Sequence, residues 1–259
     1  MKKILALILV PCMLLGTLFL LSSCSNRVKY DNAEAYTAGA FEIEAEIHSV
    51  EIYWEGKYVS VSGSLTEKIK AEEGALNADG ESLRDLADEE SLHYLVEDGV
   101  LKIYPCASGE RIDELEKSLF IELPMTMANN LQKLEIRAMS DTSVYLQMMK
   151  PKDLKVYTDG GNVSFDGTLD RVHVETETGN FVATSTTLTD LEFISYTGSA
   201  SITAHLYGFT AVMRNEDGTF TSEFEASQNG NLYTYGTQET IFIFDTAGTV
   251  EIKDKPLFR

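Results

Sequence analysis

"LKVYTDGGNVSF" at residues 154–165 has three close copies downstream: "VHVETETGNFVA" at 172–183, "LEFISYTGSASI" at 191–202 and "IFIFDTAGTVEI" at 241–252. Aligned on Gly161, Gly179, Gly198 and Gly248, they share four apolar positions. Seven residues before the glycine stand Leu154, Val172, Leu191 and Ile241, and five before it Val156, Val174, Phe193 and Ile243. Two residues after it come Val163, Phe181, Ala200 and Val250, and four after it Phe165, Ala183, Ile202 and Ile252. A looser copy on Gly218 contributes Ala211, Met213 and Phe220 and breaks at Ser222. Period-two alternation around a glycine predicts two strands, each with one buried face. The glycine between them is expected to turn the chain with a positive φ.

The glycines are separated by 18, 19 and 20 residues, then by 30. The extra length falls around "EASQNGNLYTYG" at 225–236, where Asn229-Gly230 predicts an inserted hairpin. A unit this short cannot bury its own apolar face, whereas stacked copies line their inward rows into one core. The expected fold is therefore all-β: a single-stranded β-solenoid, or β-helix, over residues 40–259 with rungs of about 18–20 residues. An antiparallel sandwich of consecutive hairpins also alternates, but near-constant register over five copies favours the solenoid.

The same grammar recurs upstream. Val50, Ile52, Val59 and Val61 flank Gly56, and Leu134, Ile136, Val144 and Leu146 form a further unit. "LHYLVEDGVLKIY" at 92–104 predicts a hairpin at Asp98-Gly99, and "SLFIELP" at 118–124 a strand ended by Pro124. Residues 64–90, rich in Glu, Ala and Leu, are expected as short helices or a mobile loop. In this order the units resemble the putative-adhesin family of unknown function found on bacterial lipoproteins and surface proteins. The likeness spans about 45–253. It implies a β-solenoid and adhesion, and it supplies no catalytic residues to carry over.

The amino terminus begins with Lys2 and Lys3, continues uncharged from Ile4 to Leu21, and closes on Ser22, Ser23 and Cys24. Such a stretch reads as an export signal over 1–23. Leu21-Ser22-Ser23-Cys24 resembles the lipobox of bacterial lipoproteins, which implies lipidation of Cys24 and anchoring to the membrane of the cell envelope. A plain signal peptide or an uncleaved anchor is the alternative. Residues 24–39 are expected to be the lipidated cysteine and a tether.

The chain carries 41 acidic against 21 basic residues, and removing Lys2 and Lys3 takes the net charge to −22. That balance excludes nucleic acid as a partner, since binding it requires basic side chains to neutralise phosphates. Cys12 leaves with the signal and Cys24 is assigned to lipid, so Cys106 has no partner for an intrachain disulfide.

No catalytic or cofactor signature emerges. His48, His93, His173 and His205 match no metal-ligand spacing, and neither a G-x-S-x-G elbow nor a phosphate-cradling glycine loop is present. "TDGGN" at 158–162 and "NEDGT" at 215–219 are explained by ordinary turn chemistry. The glycine alignment does leave apolar residues on the outward rows near the carboxyl end: Ile194, Val212, Phe242 and Phe244, with Tyr233 and Tyr235 beside them. This patch is expected either to lie under the inserted segment 223–240 or to dock a partner. The reading is a non-catalytic adhesion, interaction or display module with a protein or glycan partner. An enzyme acting on surface polysaccharide and a component of envelope stress signalling are the alternatives.

Overall fold

The computed structural model describes residues 27–111, 115–185 and 187–255, so Cys24 and the segment before it lie outside the described residues. The amino-terminal part holds β1 (Thr37–Ala38), β2 (Phe41–Ile43), β3 (Ser49–Glu55), β4 (Tyr58–Ser64) and β5 (Ile69–Leu76). It continues with β6 (Ser82–Leu83), β7 (His93–Glu97), β8 (Val100–Tyr104), β9 (Glu116–Pro124) and a one-turn helix, α1 (Met125–Ala128). The repeats follow as β10 (Lys133–Met139), β11 (Ser143–Met149), β12 (Asp153–Thr158), β13 (Val163–Gly167), β14 (Arg171–Thr176), β15 (Phe181–Ser185), β16 (Asp190–Ser195) and β17 (Ala200–Ala204). The last elements are β18 (Gly208–Met213), β19 (Thr219–Ser222), β20 (Ser227–Asn229), β21 (Leu232–Gly236), β22 (Thr240–Asp245) and β23 (Thr249–Asp254).

The fold is all-β, with two large and mostly parallel sheets. The 12-stranded sheet runs β1-β7-β8-β3-β10-β12-β14-β16-β22-β18-β21-β20. The 11-stranded sheet runs β19-β23-β17-β15-β13-β11-β4-β9-β5-β2, with β6 on β5. Each repeat gives its first strand to one sheet and its second to the other, beside the matching strands of its neighbour. Val156 pairs with Val174 and Val174 with Phe193, and all three are buried. In the facing sheet Phe165 lies opposite Ala183 and Phe181 opposite Ala200, so large side chains meet small ones and the two inner rows join in one core.

The corners are built differently from the expectation. Among Gly161, Gly179, Gly198 and Gly248, none has a positive φ. Their requirement is steric. A Cβ on Gly179 would lie 2.0 Å from the carbonyl oxygen of Gly161, and one on Gly198 would lie 1.9 Å from that of Gly179. A hydroxyl completes each corner. The N–H groups of Gly161, Gly179, Gly198 and Gly248 donate to Thr158, Thr176, Ser195 and Thr246 at 3.2, 2.9, 2.8 and 3.0 Å. Those hydroxyls donate in turn to a carbonyl of the neighbouring unit: Thr142, Asp159, Glu177 and Gly198. Buried backbone groups at the turn are thus satisfied without water.

The hydroxyl also corrects the register of the last unit. It stands three residues before the glycine at Thr158, Thr176 and Ser195 but two before it at Thr246, so that corner is one residue shorter. Leu191 therefore pairs with Phe242 and Phe193 with Phe244. Phe242 and Phe244 are fully buried core residues, while Ile241 and Ile243 point outward. Because "IFIF" is apolar on both rows, alternation alone could not choose its inward face.

Stacking does not follow chain order at the ends. β22 and β23 lie between β16/β17 and β18/β19, and β3 and β4 lie between β8/β9 and β10/β11. The chain therefore overshoots at each end, and a later or earlier unit fills the slot. Antiparallel strands close the stack: β7 on β8 and β5 on β9 at one end, β21 on β18 at the other. The 92–104 hairpin turns as expected, with Asp98 and Gly99 at φ 50 and 73. The inserted hairpin forms by pairing of β20 with β21. Residues 69–76 and 82–83, expected as helix or loop, are strands β5 and β6, with β5 held by pairing with β9 and β6 by pairing with β5 rather than by propensity.

At the amino-terminal end the fully buried Lys117 ammonium donates to the carbonyls of Glu90 and Pro105 and pairs with Glu73, each at 2.5 Å, with the Trp54 ring 5.4 Å away. Its pKa is lowered by burial, and the Glu73 carboxylate partly offsets this. The register predicts opposite outcomes for adjacent residues. Phe244→Ser should cost at least about 3 kcal/mol in equilibrium denaturation, whereas Ile241→Ser should cost less than about 1 kcal/mol.

Candidate interaction surface

The six residues expected to form a partner patch are separated by the fold. Phe242 and Phe244 lie in the core. Tyr233 and Tyr235 sit beside Ala211 and Phe209 on the inner side of β21, where Tyr233 stacks on Phe220 at 4.1 Å and Tyr235 lies 4.9 Å from Phe224. These two tyrosines close the end of the core. Ile194 and Val212 remain on the outer face of the 12-stranded sheet, half-buried, and Val212 pairs with Ile243. The outward apolar row is therefore Ile194, Val212, Ile241 and Ile243, with Ile241 47% exposed.

An aromatic ladder leads along this face toward that row. Tyr53 stacks on Tyr104 at 4.7 Å, and the Arg137 guanidinium lies 6.0 Å from the Tyr53 ring and 4.6 Å from the Tyr157 ring. Tyr157 is 5.5 Å from His173. The ladder arises because the parallel register places Tyr53, Arg137 and Tyr157 on adjacent strands at one level. Arg137 is further held by Glu135 at 2.8 Å, and Glu135 also binds Lys133 at 2.8 Å.

The segment expected as a tether docks on the other end of this ladder. The Val28 N–H donates to Glu110, the Gly109 N–H donates to Val28, and the Tyr30 hydroxyl donates to the Cys106 carbonyl. The Tyr30 ring stacks on Tyr104 at 4.1 Å, and β1 pairs with β7. Residues 28–38 are thus part of the folded body.

Beyond Tyr157, at the glycine corners, the outer face opens into a cleft of about 480 Å³. Tyr157, Glu175, Ile194 and Asp245 follow one another at one level across four strands and form its floor. Arg137 and Met139 stand at one end, Asn215 at the other, and Asp159, Glu177 and the 79% exposed Tyr196 along the corner. Asp159 accepts the Ser140 N–H at 2.7 Å, and Glu175 lies 3.6 Å from His173. Glu177 and Asp245 have no hydrogen-bonding or ionic side-chain partner among the described residues. The cleft therefore presents four carboxylates against the already paired Arg137. Aligning the repeats on Thr158, Thr176, Ser195 and Thr246 would have brought Tyr157, Glu175, Ile194 and Asp245 into one row from sequence alone.

His173 contacts Glu192 at 3.1 Å, and Glu192 also accepts from Arg214 at 2.9 Å. Cys106 is free and buried, and burial pushes its thiol up to about 11, away from a reactive thiolate. Among the described residues no three His, Cys, Asp or Glu side chains are placed so that they could hold one metal ion, those of the cleft included.

No protein-family model matches the chain, and no curated protein does so either. Solved structures with a similar shape include a putative cell adhesion protein from Clostridium sporogenes: 15% identity, 85% of this chain and 100% of the other covered, TM-score 0.49. A putative adhesin from Bacteroides fragilis shares 12% identity over 85% of this chain and 97% of its own, with a TM-score of 0.42. Another from Parabacteroides merdae shares 11% over 88% and 99%, with a TM-score of 0.34.

The docked tyrosines set a pH limit. Burial pushes the Tyr30 phenol up to about 12 and raises Tyr104 further, with neighbouring tyrosines adding to the rise. A released segment ionises near a phenol's usual value of about 10. Docking should therefore be at full strength below pH ~10 and lost as the pH climbs toward ~12. Limited proteolysis between residues 27 and 36 across this range should show cleavage rising with pH, and rising less in a Tyr30→Phe, Tyr104→Phe variant.

Proposed function

We propose that this chain is a lipid-anchored β-solenoid of the cell envelope, acting as a non-catalytic interaction or display module through the outer face of its 12-stranded sheet. The solenoid reading is supported by eight two-strand units laid side by side in parallel. The functional reading is carried by one observation: the cleft sets unpartnered carboxylates and an exposed tyrosine beside Ile194, and the described residues leave it open. Adhesion is the version of this role that the sequence resemblance implies, with an envelope protein or glycan as partner.

The anchor reading rests on Leu21-Ser22-Ser23-Cys24. Because residues 28–38 dock on the body, only Ser25 and Asn26 separate Cys24 from Arg27, a reach of roughly 10 Å at about 3.5 Å per residue. Such an anchor would hold the domain against the bilayer rather than on a long stalk.

A polysaccharide-acting enzyme is favoured by one feature of the same cleft, the convergence of acidic side chains with a basic one, Arg137. Release of reducing sugar ends from envelope polysaccharide by the purified chain would support it.

Two substitutions test the main reading. Cys24→Ser should abolish incorporation of labelled palmitate and move the protein from the membrane to the soluble fraction. Ile194→Glu should leave the melting temperature unchanged and abolish crosslinking to an envelope component captured by the wild type. Retention of that capture would remove the outer face from the proposal.

A further inference from the structure

We infer that the cleft takes a basic segment of a partner protein, setting a lysine or arginine among Glu175, Glu177 and Asp245 with an apolar neighbour on Ile194. This inference rests on the outer face being an interaction surface and adds the chemistry of its occupant. Charge complementarity is the first argument. Four carboxylates line the cleft against one guanidinium, and that guanidinium is already bound by Glu135. Glu177 and Asp245 therefore retain their full capacity to accept a charged donor.

Arg137 supplies the second argument. On the same face and at the same level, the protein already lays a cation over Tyr157, at 4.6 Å, with a carboxylate at its head. Two strands further on, Ile194 offers an apolar surface between Glu175 and Asp245, against which the stem of a lysine or arginine can lie. A partner side chain placed there would continue the internal row.

A glycan is the less suitable occupant because carbohydrate recognition uses open ring faces. Here Tyr30, Tyr104 and Tyr53 cover one another at 4.1 and 4.7 Å, and Arg137 covers Tyr157. Tyr196 alone among the tyrosines lining the cleft is mostly exposed, at 79%.

The test uses the full-length protein in detergent and fluorescence anisotropy with three probes: a peptide alternating lysine and valine, its glutamate–valine counterpart, and a neutral chitin oligosaccharide. The lysine peptide should bind and the glutamate peptide should not, and added salt should weaken binding. A Glu177→Gln, Asp245→Asn variant should lose at least about tenfold in affinity with an unchanged melting temperature. Wild-type affinity in that variant, or equal binding of the glutamate peptide, overturns the inference. So does binding of the oligosaccharide alone, and if Ile194→Glu abolishes it, the outer face stands as an interaction surface with a different occupant.

Discussion

Every level of this structure depends on how closely one unit's backbone can approach the next at the corner. Parallel strands in adjacent units sit about 4.8 Å apart, and the turn between sheets must keep that spacing or the ladders on both sides lose register. A carbonyl of the preceding unit occupies the space where a side chain would begin at Gly161, Gly179, Gly198 and Gly248. The hydroxyl beside each glycine then ties the corner to its neighbour from within. Asn162 and Asn180 do the same from outside, since the Asn180 backbone and side-chain N–H groups both donate to the Asn162 side-chain Oδ1 at 3.0 Å. Core packing follows from this spacing, because inward side chains from one level can fill only the gaps that the next level leaves.

The repeat, the alternation and the hairpin at Asp98-Gly99 were legible because each is a local pattern with a local cause. The face presented by residues 241–244 was not, since both of its rows are apolar and the glycine used as a reference had moved by one position. Thr246 held the missing information: a hydroxyl fixed by two hydrogen bonds is a stricter marker of the corner than the residue that merely leaves room for it. The strands at 69–76 and 82–83 could not be read from propensity, because an alanine- and glutamate-rich stretch becomes a strand here through pairing with β9, and 82–83 then pairs with that strand. Lys117 was equally hidden, since its carbonyl acceptors and Glu73 come from three separate segments.

The cleft follows from the same geometry. An outward side chain in a parallel ladder stands directly over its counterpart one strand away, so residues from 18 to 84 apart in sequence become neighbours at one level. Tyr53, Arg137 and Tyr157 use that proximity to build a row in which each group covers the next. Glu175, Ile194 and Asp245 continue the row with groups that do not satisfy one another. The change from a self-contained row to an open one lies within a single face.

The interlocked order of the units has a consequence for biogenesis. A polypeptide made from its amino end completes β18 and β19 before β22 and β23 exist, yet the later pair belongs between strands already synthesised. Until residues 240–254 arrive, the two ladders on either side of that gap have no shared neighbour, and the aromatic residues meant to meet there have nothing to close on. Closure of this end of the stack therefore waits on the last strands to be made.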